Sequence, residues 1–290
     1  MMRSMLFVPG NSERKLEKGL ISGADALIVD LEDSVALADK ADARGIATAF
    51  IRARRAETTA AIYVRVNDLT TGLTDDDLAA VMAARPDGIM LPKCTGGADV
   101  TRLSAKLRVL EAENGLEDGV TRIVPLITET AASVLAASTY APDKRLAGLT
   151  WGAEDLSASV GARTARSGDG RYTDVFRLAR ALTILAASAS ETVAIDTVYP
   201  NFRDTDGFRR ECEEAERDGF TAKMAIHPDQ VAIINAVFTP SPEAVAKSKA
   251  VVEAFRAAGD PGVVAIDGKM YDRPHLRLAE RLLARAGAQA

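Results

Sequence analysis

Acidic and basic side chains gather where short apolar runs of this chain come to an end. The densest group is Asp30-Leu31-Glu32-Asp33, and other runs close on Arg65-Val66-Asn67, Lys93, Thr128-Glu129, Glu154-Asp155 and His227. In a sheet of parallel strands all these ends face the same way, so the carboxylates would converge and repel one another unless a cation sat among them. A hard divalent ion does this with oxygen ligands alone. Magnesium takes only one or two protein carboxylates and completes its octahedron with water and substrate oxygens, so Glu129 and Asp155, from adjacent strands, suffice. Zinc is disfavoured by the scarcity of histidine and cysteine near these ends. Other roles stay open for the same residues. Glu129 and Asp155 each precede a helical segment and can cap its dipole. Asp30, Glu32 and Asp33 can form a polar cluster bridged to Arg65 or Lys93, and His227 can be a hydrogen-bonded loop residue as readily as a base.

The elements that must position these groups are legible as an alternation. Eight β-branched runs, Ser4–Pro9, Ala26–Glu32, Ala61–Val66, Gly88–Lys93, Arg122–Thr128, Leu146–Gly152, Val193–Val198 and Ala222–His227, read as strands buried on both faces. Amphipathic stretches such as Glu13–Leu20, Ala41–Arg52, Asp75–Ala84, Val100–Asn114, Thr173–Ala189 and Phe208–Asp218 separate them. Eight strand–helix units predict a (β/α)8 TIM barrel, with its chemistry at the C-terminal strand ends. The barrel is expected over residues 1–239. After the break Thr239-Pro240-Ser241-Pro242, residues 240–290 are expected to form an extension: a helix over Glu243–Ala258, a short strand over Val263–Ile266, a turn-rich loop over Asp267–Pro274 and a terminal helix over Leu276–Ala286.

Composition excludes several classes of function. With 36 basic and 41 acidic residues among 290, a net charge of −5 and no basic run, nucleic acid and anionic membranes are poor partners. Met1 to Pro9 is too short for a signal-peptide core, and no window approaches the roughly 20 apolar residues of a membrane span. Cys94 and Cys212 lie far apart without CxxC spacing, so a cytoplasmic, reducing compartment is expected. A phosphate-binding barrel would want a Gly-rich loop after strands seven and eight, and 201–207 and 228–230 provide none.

Six stretches, Leu6-Phe7-Val8-Pro9-Gly10-Asn11, Asp30-Leu31-Glu32-Asp33-Ser34-Val35, Val64-Arg65-Val66-Asn67, Ile127-Thr128-Glu129-Thr130, Gly152-Ala153-Glu154-Asp155-Leu156 and Ala225-Ile226-His227-Pro228, together resemble the citrate lyase beta-subunit family of the HpcH/HpaI aldolase superfamily. Malyl-CoA and citramalyl-CoA lyases belong to the same group. The resemblance implies a homotrimer or hexamer, Mg2+ on Glu129 and Asp155, and a small acyl-CoA substrate with Phe7, Lys18, Arg65 and Glu129 among its contacts. Arg65 would face a carboxylate or developing oxyanion, with Glu32 and Asp33 orienting it. The stretch Gly268-Lys269-Met270-Tyr271-Asp272-Arg273-Pro274 is similar to the family's C-terminal lid, which nominates Asp272 as a proton-transfer group delivered to a neighbouring protomer. One departure is Ser12-Glu13-Arg14, where many relatives carry an Arg-Pro pair; Lys18 and Arg14 remain the candidates for a CoA phosphate. The implied reaction is cleavage of a 3-hydroxyacyl-CoA to acetyl-CoA and a 2-oxoacid. A malyl-CoA thioesterase, or a citrate lyase subunit within a larger assembly, are the alternatives.

Overall fold

The structure, a computed structural model, describes residues 2–259 and 261–287. They divide into two compact units, Met2–Asn235 and residues 236–287. In the first, parallel strands β1 (Ser4–Pro9), β2 (Ala26–Asp30), β3 (Ala61–Arg65), β4 (Gly88–Leu91), β5 (Arg122–Pro125), β6 (Leu149–Thr150), β7 (Ala194–Asp196) and β8 (Ala222–Ala225) run in the order β5-β4-β3-β2-β1-β8-β7-β6. The ends of that order meet through parallel bridges Ile123↔Leu146 and Leu126↔Thr150, which bring the sheet round into the TIM barrel that the alternation predicts. Helices α1 (Glu13–Leu20), α2 (Lys40–Arg54), α3 (Thr74–Met82), α4 (Gly97–Glu113), α5 (Ala131–Leu135), α6 (Ala153–Val160), α7 (Asp174–Ala189), α8 (Thr205–Asp218) and α9 (Pro228–Phe238) intervene. Among the described residues no helix is long and apolar enough to cross a membrane.

Burial on both faces is why the strand sequences are continuously apolar: every residue of β2 and of β4 is buried. Met5, Ile28, Tyr63, Met90, Val124, Ile195 and Met224 share one cluster that fills the barrel, while their strand neighbours face the helices. Several of those outward positions are ionic. Lys223 on β8 is fully buried and donates to Asp196 at 2.7 Å and to Glu211 of α8 at 2.9 Å, and Asp196 also accepts the Trp151 indole N–H at 2.8 Å. Trp151 stands between β6 and α6, so this network fixes the corner from which Gly152 and Asp155 emerge.

The second unit builds its own core. Helices α10 (Pro242–Ala257) and α11 (Arg273–Arg285) and the antiparallel pair β9 (Val263–Ile266) and β10 (Lys269–Asp272) bury Val251, Phe255, Val264, Leu276 and Leu283 together. The expected loop over Asp267–Pro274 is instead half of a hairpin. Asp267 and Gly268, at φ 49° and 73°, make a two-residue turn with two positive φ values, the backbone that matches strand twist and that an Asp-Gly pair readily adopts.

Within the barrel unit a second buried charge pair lies between α4 and the strand-six approach. Arg145 grips Glu111 with two N–H···O bonds of 2.7 Å, both side chains are about 1% exposed, and Glu111 also accepts the amides of Gly119 and Thr121 at 2.9 Å. Burial would raise the Glu111 carboxyl, yet Arg145 and the two amides prevail and hold it at about 2, against an ordinary 4.5. Because the folded value is depressed, this contribution to stability is complete above the ordinary value and is lost as pH falls towards 2. Glu111→Gln is therefore expected to lower the urea midpoint at neutral pH and to flatten its decline in acid. Arg145→Met, which strands a buried carboxylate, is expected to cost about 3–5 kcal/mol in the same measurement.

Candidate active site

Strand register sets the first pair. Asp30 closes β2 and Arg65 closes β3, and the ladder places them side by side as direct partners. Arg65 Nε and Nη2 donate to the two oxygens of Asp30 at 2.7 Å each, a planar fork on a planar carboxylate. Asp30 also accepts the amides of Glu32 at 2.9 Å and Ser34 at 3.2 Å, so the chain turns around its carboxylate. Burial would raise the Asp30 carboxyl, but Arg65 holds it below the usual range. Lys40, at the start of α2, donates to the carbonyls of Leu31 and Glu32 at 2.6 and 2.7 Å and fixes the acidic turn from behind.

That turn presents Glu32 and Asp33 beside the guanidinium. Arg65 Nη1 lies 2.9 Å from Glu32 Oε2 and 3.6 Å from Asp33 Oδ2, and its guanidinium carbon sits 4.9 Å from the centre of the half-buried Phe7 ring. Glu32 is buried, and desolvation raises its carboxyl despite Arg65 and Lys93. Its Oε2, though ion-paired, makes no hydrogen bond among the described residues.

Lys93 joins these groups to the opposite side of the rim. It lies two residues past the end of β4, with φ +52°, a left-handed conformation that costs a side-chain-bearing residue about 1–2 kcal/mol. In that conformation its backbone N–H donates to Glu129 Oε2, while its ammonium contacts Glu32 Oε1, lies 3.4 Å from Asp33 Oδ1 and 3.9 Å from Asp155 Oδ1. One residue thus touches four carboxylates on three different strand ends.

Glu129 is 2% exposed and lies over the backbone of Gly152, where an added Cβ would stand 2.8 Å from the Glu129 Cγ. Only glycine there lets the carboxylate approach the strand-six corner. Burial pushes the Glu129 carboxyl up to about 8; the Lys93 amide opposes this, and the nearby Asp155 and Glu32 add to it. Asp155 is half-buried and stands inside the first turn of α6, rather than ahead of the helix as the sequence suggests.

Hard carboxylate oxygens, a shortage of positive charge at the rim and an oxygen on Glu32 without a hydrogen bond suit a divalent ion such as magnesium. Among the described residues no three His, Cys, Asp or Glu side chains are grouped to hold a metal by themselves. Glu129 and Asp155 fit the mode in which two carboxylates serve and other oxygens complete the shell.

The structure thus brings together Phe7, Glu32, Asp33, Arg65, Glu129 and Asp155. It does not bring Lys18 to them: Lys18 is exposed in the last turn of α1, a helix that leads away from the rim end of β1. Asp272 belongs to the second unit, where it caps α11, accepting the His275 amide at 3.4 Å and meeting the His275 ring Nδ1 at 2.5 Å. His275 lowers its carboxyl below the usual range. Asn67 is a scaffold residue, donating from its amides to the buried Asp77 at 2.8 and 2.6 Å. His227 is a half-buried loop residue stacked 4.8 Å from the Phe202 ring. Lys93 and Lys40 are the groups whose importance the sequence understates. Lys93 stands in the right place, yet nothing in a lone Lys after Leu91-Pro92 announces a left-handed backbone.

Comparison with known proteins gives a consistent result. The chain is 36% identical over 296 residues to a (3S)-malyl-CoA thioesterase of Cereibacter sphaeroides, covering 99% of this chain and 95% of that protein. It is 32% identical over 297 residues to the mitochondrial citramalyl-CoA lyase of Rattus norvegicus, covering 98% and 86%. The crystal structure of the protein CitE from Mycobacterium tuberculosis, in complex with magnesium, acetoacetate and coenzyme A, superposes with a TM-score of 0.76 at 31% identity, covering 99% of this chain and 98% of that one. Residues 3–228 match the family model described as HpcH/HpaI aldolase/citrate lyase. With that match spanning the barrel, and relatives of this identity along its whole length, the chain belongs to the HpcH/HpaI aldolase/citrate lyase family.

Proposed function

We propose that the protein is a magnesium-dependent carbon–carbon lyase that cleaves a 3-hydroxyacyl-CoA, malyl-CoA or citramalyl-CoA, to acetyl-CoA and a 2-oxoacid. The observation that carries this reading is the convergence of Glu129, Asp155, Glu32 and the fork-held Arg65 on one barrel rim through Lys93. Relatives named for malyl-CoA and citramalyl-CoA support the substrate class.

Glu129 and Asp155 would hold the metal. Once bound, the metal supplies Lewis acidity towards the substrate's hydroxyl and carboxylate oxygens, worth several kcal/mol in general. Arg65 offers fixed positive charge: two of its five N–H groups are spent on Asp30 and Nη1 lies 2.9 Å from Glu32, so the N–H groups left over would serve a substrate carboxylate or the thioester oxygen as it gains charge. Glu32, made more basic by burial, takes the hydroxyl proton, and Asp33 helps orient Arg65 and Lys93. As the hydroxyl becomes the 2-oxo group, the adjacent carbon–carbon bond breaks, its electron pair passes to the thioester as an enolate, and a proton delivered to carbon completes acetyl-CoA. Asp272 is assigned that last transfer, with residues 240–290 closing as a lid and a homotrimer or hexamer providing the neighbouring copy. Phe7 contributes an apolar wall beneath Arg65.

A thioesterase reading has a specific observation in its favour, the 36% identity to the Cereibacter sphaeroides protein of that name. Product analysis separates the two. Incubation with malyl-CoA is expected to release acetyl-CoA and glyoxylate; free malate and CoA would transfer the assignment to hydrolysis. Activity is expected to vanish in excess chelator, and Glu129→Gln and Asp155→Asn are each expected to lower kcat/KM by about a hundredfold or more at saturating Mg2+. Full turnover in chelator would sink the metal assignment.

Arg65→Lys keeps the charge and loses the fork on Asp30, and it is expected to lower kcat by about a hundredfold with little change in metal dependence. Asp272→Ala is expected to abolish acetyl-CoA formation while leaving the unfolding transition of the barrel in place; unchanged turnover would remove Asp272 from the reaction.

A further inference from the structure

Lys93 is placed as no merely structural lysine needs to be. A salt bridge requires one partner, whereas this residue adopts a left-handed backbone and thereby aims its amide at Glu129 and its ammonium at Glu32, Asp33 and Asp155. The side chain is about one-third exposed, so the ammonium has a way out of the cluster. Its longest contact, 3.9 Å, is to Asp155, one of the two carboxylates assigned to the metal. An ammonium and a divalent ion within a few ångströms of the same carboxylates repel each other, and each lowers the other's occupancy.

We propose that Lys93 is a built-in counter-ion that stands in for the divalent metal, holding Glu32, Asp33 and Asp155 assembled in its absence and giving way when the metal binds. This inference rests on the magnesium reading above and deepens it. The site is then preassembled without metal, since the carboxylates are not left to repel one another apart. Metal affinity is set below what the carboxylates alone would give, and metal arrival frees a flexible ammonium beside the place where an anionic acyl-CoA must bind. Lys93 is in this sense a positioning residue whose charge is redirected by the metal.

The test is Mg2+ binding measured directly by titration calorimetry, with thermal unfolding in chelator and in Mg2+ alongside. Lys93→Met removes the ammonium, and Lys93→Gly removes it while easing the positive φ and keeping the amide on Glu129, so at least one variant retains the local fold. Both are expected to bind Mg2+ at least about tenfold more tightly than the wild type. Both should show a larger rise in melting temperature on adding Mg2+. Lys93→Arg, which keeps the charge, should stay near the wild-type affinity. A structural lysine would give equal destabilisation with and without metal and an unchanged Kd; that result, or weaker Mg2+ binding by both neutral variants, would overturn the proposal. If instead the wild type binds no Mg2+, or binding survives both Glu129→Gln and Asp155→Asn, the metal reading itself fails. Loss of binding in those two variants with an unchanged Kd in the Lys93 series removes this inference alone.

Discussion

Accumulated like charge is the constraint to which the rest of this molecule answers. Asp30, Glu32, Asp33, Glu129 and Asp155 come from three regions of the chain and meet at one end of the barrel, where, among the described residues, Arg65 and Lys93 are the cations paired with them. Coulomb repulsion at such separations is several times stronger at a half-buried rim than in water. The chain meets it in unequal ways. Asp30 is fully served, with a bidentate arginine and two amides, and it stays ionised. Glu129 receives one amide and is buried against Gly152, and its carboxyl rises to about 8. One carboxylate is therefore fully partnered and the other is left electrostatically unsatisfied, the contrast on which the proposed metal role of Glu129 rests.

Holding unsatisfied charge in place needs a rigid frame, and the barrel supplies it by means that are themselves charged. Behind the acidic turn, Lys40 ties down two carbonyls; behind Asn67, Asp77 takes two amides; behind the strand-six corner, Lys223 and Asp196 anchor Trp151. Charged groups buried in this way add little net stability over apolar substitutes. What they contribute is geometry, since each fixes the backbone from which a rim residue departs. The left-handed backbone at Lys93 is tolerated on the same terms: strain at one residue is held by the Pro92 segment on one side and by the Cys94 amide, bonded to Leu126 at 3.2 Å, on the other.

Much of this was open to sequence reasoning because parallel strands buried on both faces leave an unmistakable record. The strands Ser4–Pro9 and Val263–Ile266 lie where their apolar runs place them, and the rim residues follow from asking what ends each run. The failures have physical causes of the same local kind. Asp155 falls inside α6 and not before it, because Gly152 serves as the helix's N-terminal boundary and the helix begins at Ala153. The Asp267-Gly268 hairpin escapes the sequence because a turn pair serves a loop as readily as a hairpin, and Lys269–Asp272 carries no apolar run to mark a strand. Contacts set by backbone conformation, such as the four that Lys93 makes, have no signature in residue type.

The second unit shows a related tension in Asp272. Its carboxylate is the N-cap of α11, and with His275 it forms a reciprocal pair that satisfies the amides of Asp272 and His275. Such a cap is worth about 1 kcal/mol and fixes the side-chain rotamer. An aspartate so held cannot search for a substrate by side-chain rotation alone. In the proposed reaction Asp272 would have to be carried by β9–β10 and α11 together, because the Val251, Phe255, Leu276 and Leu283 core binds both to α10. Contact with His275 lowers the Asp272 carboxyl, so in the proposed reaction Asp272 must first take up a proton before it can pass one to carbon. Exchanging this partner for a substrate in a drier setting would raise it again, which is the direction a proton donor requires.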